Sequence, residues 1–216
     1  MDKKKKIIVI STIAIIVLLL IAGGIWYFVA NKNNNNENNQ ETSKVGRLYN
    51  TLKEKEIYSF NFILDENNRM YYAKNQNKAY TSTIYNGSTS NYIIRDGNSY
   101  LIMEDTKKYY TYANNTIDLN LIAETLETAT ELQYQTGTEE IEGKNYEYEE
   151  YPLLTNIAMG DFPEETNNTK TRFYFQGDKL VYIKTIAEGK QELLKVEVSY
   201  KVDNKLFEIP SDYTQG

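Results

Sequence analysis

The chain has 216 residues and a formal net charge of −6, with no cysteine and no histidine. Disulfides, thiolate nucleophiles and thiolate metal sites are excluded, as is histidine general-base or transition-metal chemistry. Residues 1–44 carry six lysines against Asp2, Glu37 and Glu41, a net +3, which leaves −9 on residues 45–216. An acidic body of this kind does not suit the phosphate backbone of a nucleic acid.

Four lysines at 3–6 precede the apolar run IIVISTIAIIVLLLIAGGIWYFVA at 7–30. At roughly 1.5 Å per residue a helix over these positions is about 36 Å long, enough to cross a bilayer core with some tilt. Trp26, Tyr27 and Phe28 form an aromatic belt at its far end, and the basic residues ahead of it place the N-terminus in the cytoplasm. A cleaved signal peptide fits less well, because the apolar run is long and Phe28 occupies a position that a cleavage site keeps small. The expected organisation is a cytoplasmic tail over 1–6, a transmembrane anchor over 7–30, a flexible Asn-rich linker over 31–44 and an extracytoplasmic domain over 45–216. The linker, NKNNNNENNQETSK, has almost no apolar side chain with which to offset the entropy of ordering.

Val45, Leu48, Tyr49 and Leu52 have helical spacing, so a short amphipathic helix opens the domain. The period then changes to two. Tyr58, Phe60, Phe62 and Leu64 face one way in IYSFNFILD, against Ser59 and Asn61. RMYYAK and AYTSTIY continue the alternation. In NYIIRDGNSYLIMED, Asp96–Gly97 between two apolar alternating runs predicts a β-hairpin. KKYYTY follows as a further strand.

A second helix is expected near 118–129, with Leu119, Ile122, Ala123 and Leu126 on one face and Thr116 or Asp118 as cap. Gly137 is read as ending the region after it. Strands resume at ELQYQT and NYEYEEY around a turn near Glu142–Gly143. TRFYFQ, KLVYIKTIA and QELLKVEVSYKV close the set, the last alternating Leu194, Val196, Val198, Tyr200 and Val202 with polar residues. About ten antiparallel strands predict a mainly β domain, one large curved sheet or a barrel-like fold, with the two helices covering one side.

Six glutamates fall between Glu139 and Glu150. Glu139, Glu140 and Glu142 are placed in or beside a turn, and Glu147 and Glu149 on one strand face. The alternation with tyrosine reads as the solvated side of a hairpin, ahead of an acidic contact surface or a catalytic or metal-binding carboxylate cluster. No phosphate-binding loop, dinucleotide fingerprint or nucleophile elbow occurs, so no catalytic residue, metal ligand or cofactor is expected. The Asn-x-Ser/Thr-type triplets NGS and NNT are expected by chance in so Asn-rich a chain.

The order of elements is similar to that of the LolA/LolB-like superfamily of bacterial lipoprotein carriers, which includes LppX/LprG-like proteins and RseB-type sensor domains. The residues that carry the resemblance are YIIRDGNSYLIMEDTKKYYTY, EEIEGKNYEYEEY, FYFQGDKLVYIK and the closing VSYKVDNKLFEIPSDY. The resemblance implies a half-barrel whose apolar concave face is plugged by helices and accepts acyl chains or a lipid-bearing partner. It transfers no catalytic residue. On that pattern Tyr58, Phe60, Phe62 and Leu64 line the concave side, Leu119, Ile122 and Leu126 cover it, and Phe173, Phe175 and Val196 complete the wall. The same side chains also suit a closed core. The expected partners are the membrane, through the N-terminal helix, and a lipid or lipoprotein. The other expectation is a sensory or protein-interaction ectodomain that meets an envelope protein without a small ligand.

Overall fold

The computed structural model describes residues 43–113, 121–152 and 169–216. They lie in one compact unit, Glu37–Gly216. The expected transmembrane span at 7–30, Thr116, Asp118 and Leu119 lie outside the described residues. No helix among the described residues is long and apolar enough to cross a membrane.

The first element of the described residues is helix α1, Lys44–Lys55. Ser43 caps it, its side-chain oxygen accepting the Gly46 N–H at 2.8 Å. Six strands follow: β1 (Ile57–Ile63), β2 (Arg69–Asn75), β3 (Lys78–Tyr85), β4 (Ser88–Arg95), β5 (Asn98–Met103) and β6 (Lys108–Ala113). Helix α2 covers Leu121–Thr130. Next come β7 (Gln135–Ile141), β8 (Lys144–Tyr151), β9 (Lys170–Gln176), β10 (Lys179–Ala187) and β11 (Lys190–Ser199). A 3-10 turn at Asn204–Phe207 and a two-residue strand, β12 (Thr214–Gln215), end the described chain.

All twelve strands form one open sheet in the order β12-β6-β5-β4-β3-β2-β1-β11-β10-β9-β8-β7. Among the described residues its edge strands β12 and β7 do not pair, so the sheet does not close into a barrel there. The chain leaves the middle at β1, meanders to one side, restarts at the opposite edge with β7 and returns to pair β11 with β1. Asp96 and Gly97 both have positive φ, as the two-residue turn expected there requires. Glu142–Gly143 repeats this geometry between β7 and β8.

Two expectations are corrected here. Gly137 lies within β7, paired with Tyr148, and does not end the region that follows α2. Glu139 and Glu140 also belong to β7 and not to a turn. The strand is placed later than ELQYQT because Ile141 and Lys144 flank the tight turn, and the register runs back from there to Gln135.

The inner face carries the main core. Val45, Leu48 and Leu52 of α1 and Ile122, Leu126 and Ala129 of α2 are buried on the same side as Phe60 and Phe62. The N-terminus of α1 reaches Glu149 of β8, and its C-terminus runs directly into β1. Four strand spacings separate β8 from β1, about 19 Å, and twelve helical residues span about 18 Å. The helix therefore lies across the strands and covers this half of the sheet.

The outer face has a different cover. After β11 the chain is at the middle of the sheet, and it must cross β1–β6 to pair β12 with β6. Phe207 is buried on this crossing, which packs over β3 and β4. Asn75 donates to Asn204 at 2.6 Å, and Arg95 donates to the Phe207 carbonyl at 3.1 Å. At the other end of the outer face Ile141, Tyr174 and Tyr182 form a small cluster, flanked by Tyr146, Tyr148, Val181 and Leu193.

Candidate functional site: the inner face of the sheet

Cross-strand partners share a face, so the register traces one continuous row over the inner surface. It runs Val198, Phe60, Tyr72, Thr81, Tyr92, Leu101, Tyr110, across β11, β1, β2, β3, β4, β5 and β6. Exposure rises along it, from 0% at Phe60 and 3% at Tyr72 to 6% at Thr81 and 38% at Tyr110. Tyr92 and Leu101 are half-buried. The inner face therefore has a packed half and an open half.

The packed half contains most of the residues expected to line a ligand site. Tyr58, Phe60, Phe62, Ile122, Leu126, Phe173, Phe175 and Val196 are all buried. Phe60 and Phe62 stack with ring centroids 5.6 Å apart, and Tyr58 meets Phe60 edge-on at 5.8 Å. Tyr151 packs edge-on against Phe173. Leu64 departs from the expected pattern. It lies beyond the end of β1, is 38% exposed, and donates its N–H to the Asn68 carbonyl in a turn.

The open half is a shelf on β4, β5 and β6. Tyr92, Leu101 and Met103 are half-buried, and Tyr110 and Tyr112 are exposed. Burial pushes the Tyr92 hydroxyl above the usual phenol range, with a smaller contribution from nearby Tyr112. The shelf is about 10 Å wide across two strand spacings and about 14 Å long from Ser99 to Met103. It presents aliphatic and thioether groups with phenol hydroxyls beside them. That surface suits a ligand with a long apolar part and a polar end. None of these five residues was singled out from sequence, although the alternation in NYIIRDGNSYLIMED and KKYYTY places Tyr92, Leu101, Met103, Tyr110 and Tyr112 on one face.

The glutamate-rich hairpin is not the wet surface its alternation suggested. Glu140, Glu142 and Glu147 are exposed, but Glu149 and Glu150 are buried. Glu149 clamps the start of α1. Its two carboxylate oxygens accept the Lys44 N–H at 2.6 Å and the Val45 N–H at 3.0 Å, and Tyr151 donates its hydroxyl at 3.0 Å. An anion at a helix N-terminus satisfies free N–H groups and meets the positive end of the dipole.

Glu150 and Glu139 lie on the outer face in an ion network. Arg172 donates to Glu150 at 2.6 Å and to Glu139 at 2.7 Å, Lys170 donates to Glu150, and Lys184 and the Tyr174 hydroxyl donate to Glu139. Burial pushes the Glu139 carboxyl up, but Lys184, Tyr174 and Arg172 outweigh it and hold the group at about 2. Glu150 is also held low, its burial outweighed by Lys170 and Arg172. Both carboxylates are committed to cations of the sheet. Among the described residues no group of three carboxylates is placed to hold a metal ion.

The class of protein so defined is a helix-covered, open antiparallel sheet with an apolar shelf on its inner face. Its fold is similar to that of lipoprotein LppX from Mycobacterium tuberculosis, with a TM-score of 0.42 and 12% identity over 74% of this chain and 97% of the other. An uncharacterized conserved protein from Thermus thermophilus is similar with a TM-score of 0.46 and 10% identity, over 81% of this chain and 99% of the other. No protein-family model and no curated protein sequence matches the chain.

Proposed function

We propose that this protein binds a hydrophobic ligand, a lipid or the acyl chain of a lipoprotein, on the inner face of its sheet, and that it is a binder and not an enzyme. The observation that carries the proposal is the row from Phe60 to Tyr110, in which the apolar inner surface continues past the packed half onto the half-exposed shelf. The proposal includes the anchor: residues 7–30 span the cell membrane once, the N-terminus is cytoplasmic, and the sheet lies outside. The length of the apolar run and the lysines ahead of it support that orientation.

The test uses the compact unit 37–216, purified under native conditions and extracted with organic solvent for mass spectrometry. A lipid recovered at about one per chain from the natural sequence, and lost from Leu101→Glu, is the expected result. An empty extract, together with failure to bind an environment-sensitive apolar dye, rejects the proposal and leaves the protein-interaction ectodomain. For the anchor, the full chain is expected to stay with membranes at alkaline pH while the 37–216 unit does not.

A further inference from the structure

The two edges of the sheet are treated differently. At one, β12 pairs in parallel with β6. At the other, β7 is the last strand among the described residues, and its seven residues run in unbroken register with β8. Exposed edges in natural proteins are usually blunted by charged side chains, lysine above all, by proline or by a bulge. β7, QTGTEEI, has no lysine, proline or bulge; of its two charges Glu139 is held by Arg172 and Lys184 on the outer face and Glu140 is exposed.

The two-residue turn at Glu142–Gly143 makes Ile141 and Lys144 a hydrogen-bonded pair. Alternation then directs the N–H and C=O groups of Thr136, Thr138 and Glu140 away from β8, toward the edge that no described strand covers. All three residues are exposed. Their side chains share the inner face with Glu147, the partner of Thr138. A cavity of about 360 Å³ opens there, lined by Lys44, Thr136, Thr138, Glu147 and Glu149 among others.

We propose that β7 is a docking edge that takes an extended, basic segment of a partner protein as a thirteenth strand of the sheet. The backbone groups of Thr136, Thr138 and Glu140 supply the ladder, and alternate side chains of the incoming strand enter the cavity. The charge there selects lysine or arginine at those alternate positions. Glu147 pairs with Lys44 and Glu149 holds the start of α1, so the exposed Glu140 is the carboxylate this face offers an incoming cation, on a domain whose residues 45–216 carry −9. The same charge disfavours a second copy of this chain, which would bring acidic edge to acidic edge.

The experiment uses the full 216-residue chain in detergent micelles. The probe is a capped seven-residue peptide alternating lysine and valine, with a glutamate-for-lysine peptide as control. The expected result is saturable binding of the basic peptide only, with slowed hydrogen exchange at the amides of Thr136, Thr138 and Glu140. Thr138→Pro removes an outward N–H while sparing the ladder to β8, and it is expected to weaken binding at least tenfold with the fold retained. Glu140→Lys, at an exposed position, is expected to weaken binding without touching the backbone. Binding that neither substitution changes overturns the proposal, as does equal binding of the acidic peptide. Protection of these amides that grows with protein concentration and without peptide overturns it in favour of self-pairing.

Discussion

At the scale of single residues, the six glutamates show how one residue type takes different roles within a short stretch. Glu149 is buried because α1 starts on it, and Glu150 is buried because Arg172 and Lys170 lie one strand away. Glu149→Gln keeps the shape but removes the charge facing the helix dipole. A loss of about 1–2 kcal/mol is expected, measured by urea unfolding. Glu139 has a folded pKa near 2 against 4.5 for the free group. A depressed carboxyl contributes stability that is fully present above its unfolded pKa and is lost as pH falls toward the folded value. The contribution is at most about 3 kcal/mol, fading between pH 5 and 2. Arg172→Met removes the cation that joins Glu139 to Glu150, so the acid limb of the stability profile is expected to move to higher pH. An unchanged acid midpoint in that variant would show that the network is not the source.

At the scale of elements, α1 and the C-terminal crossing do corresponding work on opposite faces. α1 holds the inner face through Val45, Leu48 and Leu52, and it is fixed at its start by Ser43 and Glu149. Ser43→Ala is expected to cost about 1 kcal/mol by removing the cap, read as a lower thermal midpoint. The crossing is held by Phe207, buried where this segment packs over β3 and β4. Phe207→Ala is expected to cost about 3–5 kcal/mol. It should also release β12, visible as faster exchange of the Gly216 N–H, which is bonded to the Tyr109 carbonyl. Protection of that amide in the variant would mean that β12 holds without the crossing.

At the scale of the whole molecule, the open sheet produces both proposals. A closed barrel would have no edge, so β7 would be paired and no strand could be added. Helix α1 spans the inner face from β8 to β1, and farther along the same face the shelf at Leu101 and Tyr110 is partly open. Leu101→Glu puts a charge at the middle of that shelf, on a side chain already half in water. The fold should therefore tolerate it while an apolar ligand does not. Ligand loss with an unchanged unfolding midpoint is the expected pair of results. Loss of both together would mark Leu101 as part of the core.

Local pattern was enough for much of the architecture. The period-two runs located most of the strands, Asp96–Gly97 marked its hairpin, and Val45, Leu48 and Leu52 marked α1, because side-chain direction within an element depends only on near neighbours in the chain. The burial of Phe60, Phe62, Phe173, Phe175 and Val196 follows from the same alternation. What surrounds each face depends on residues far apart in sequence. Glu149 meets Lys44 across 105 positions and Glu139 meets Arg172 across 33, so a hairpin that reads as solvated contains a helix clamp and an ion network. The strand order was equally out of reach of local pattern, because pairing β11 with β1 is a choice among topologies that leaves every strand's alternation unchanged. That choice places Phe60 in the core, leaves Tyr110 at the open end of the same row, and makes β7 an edge.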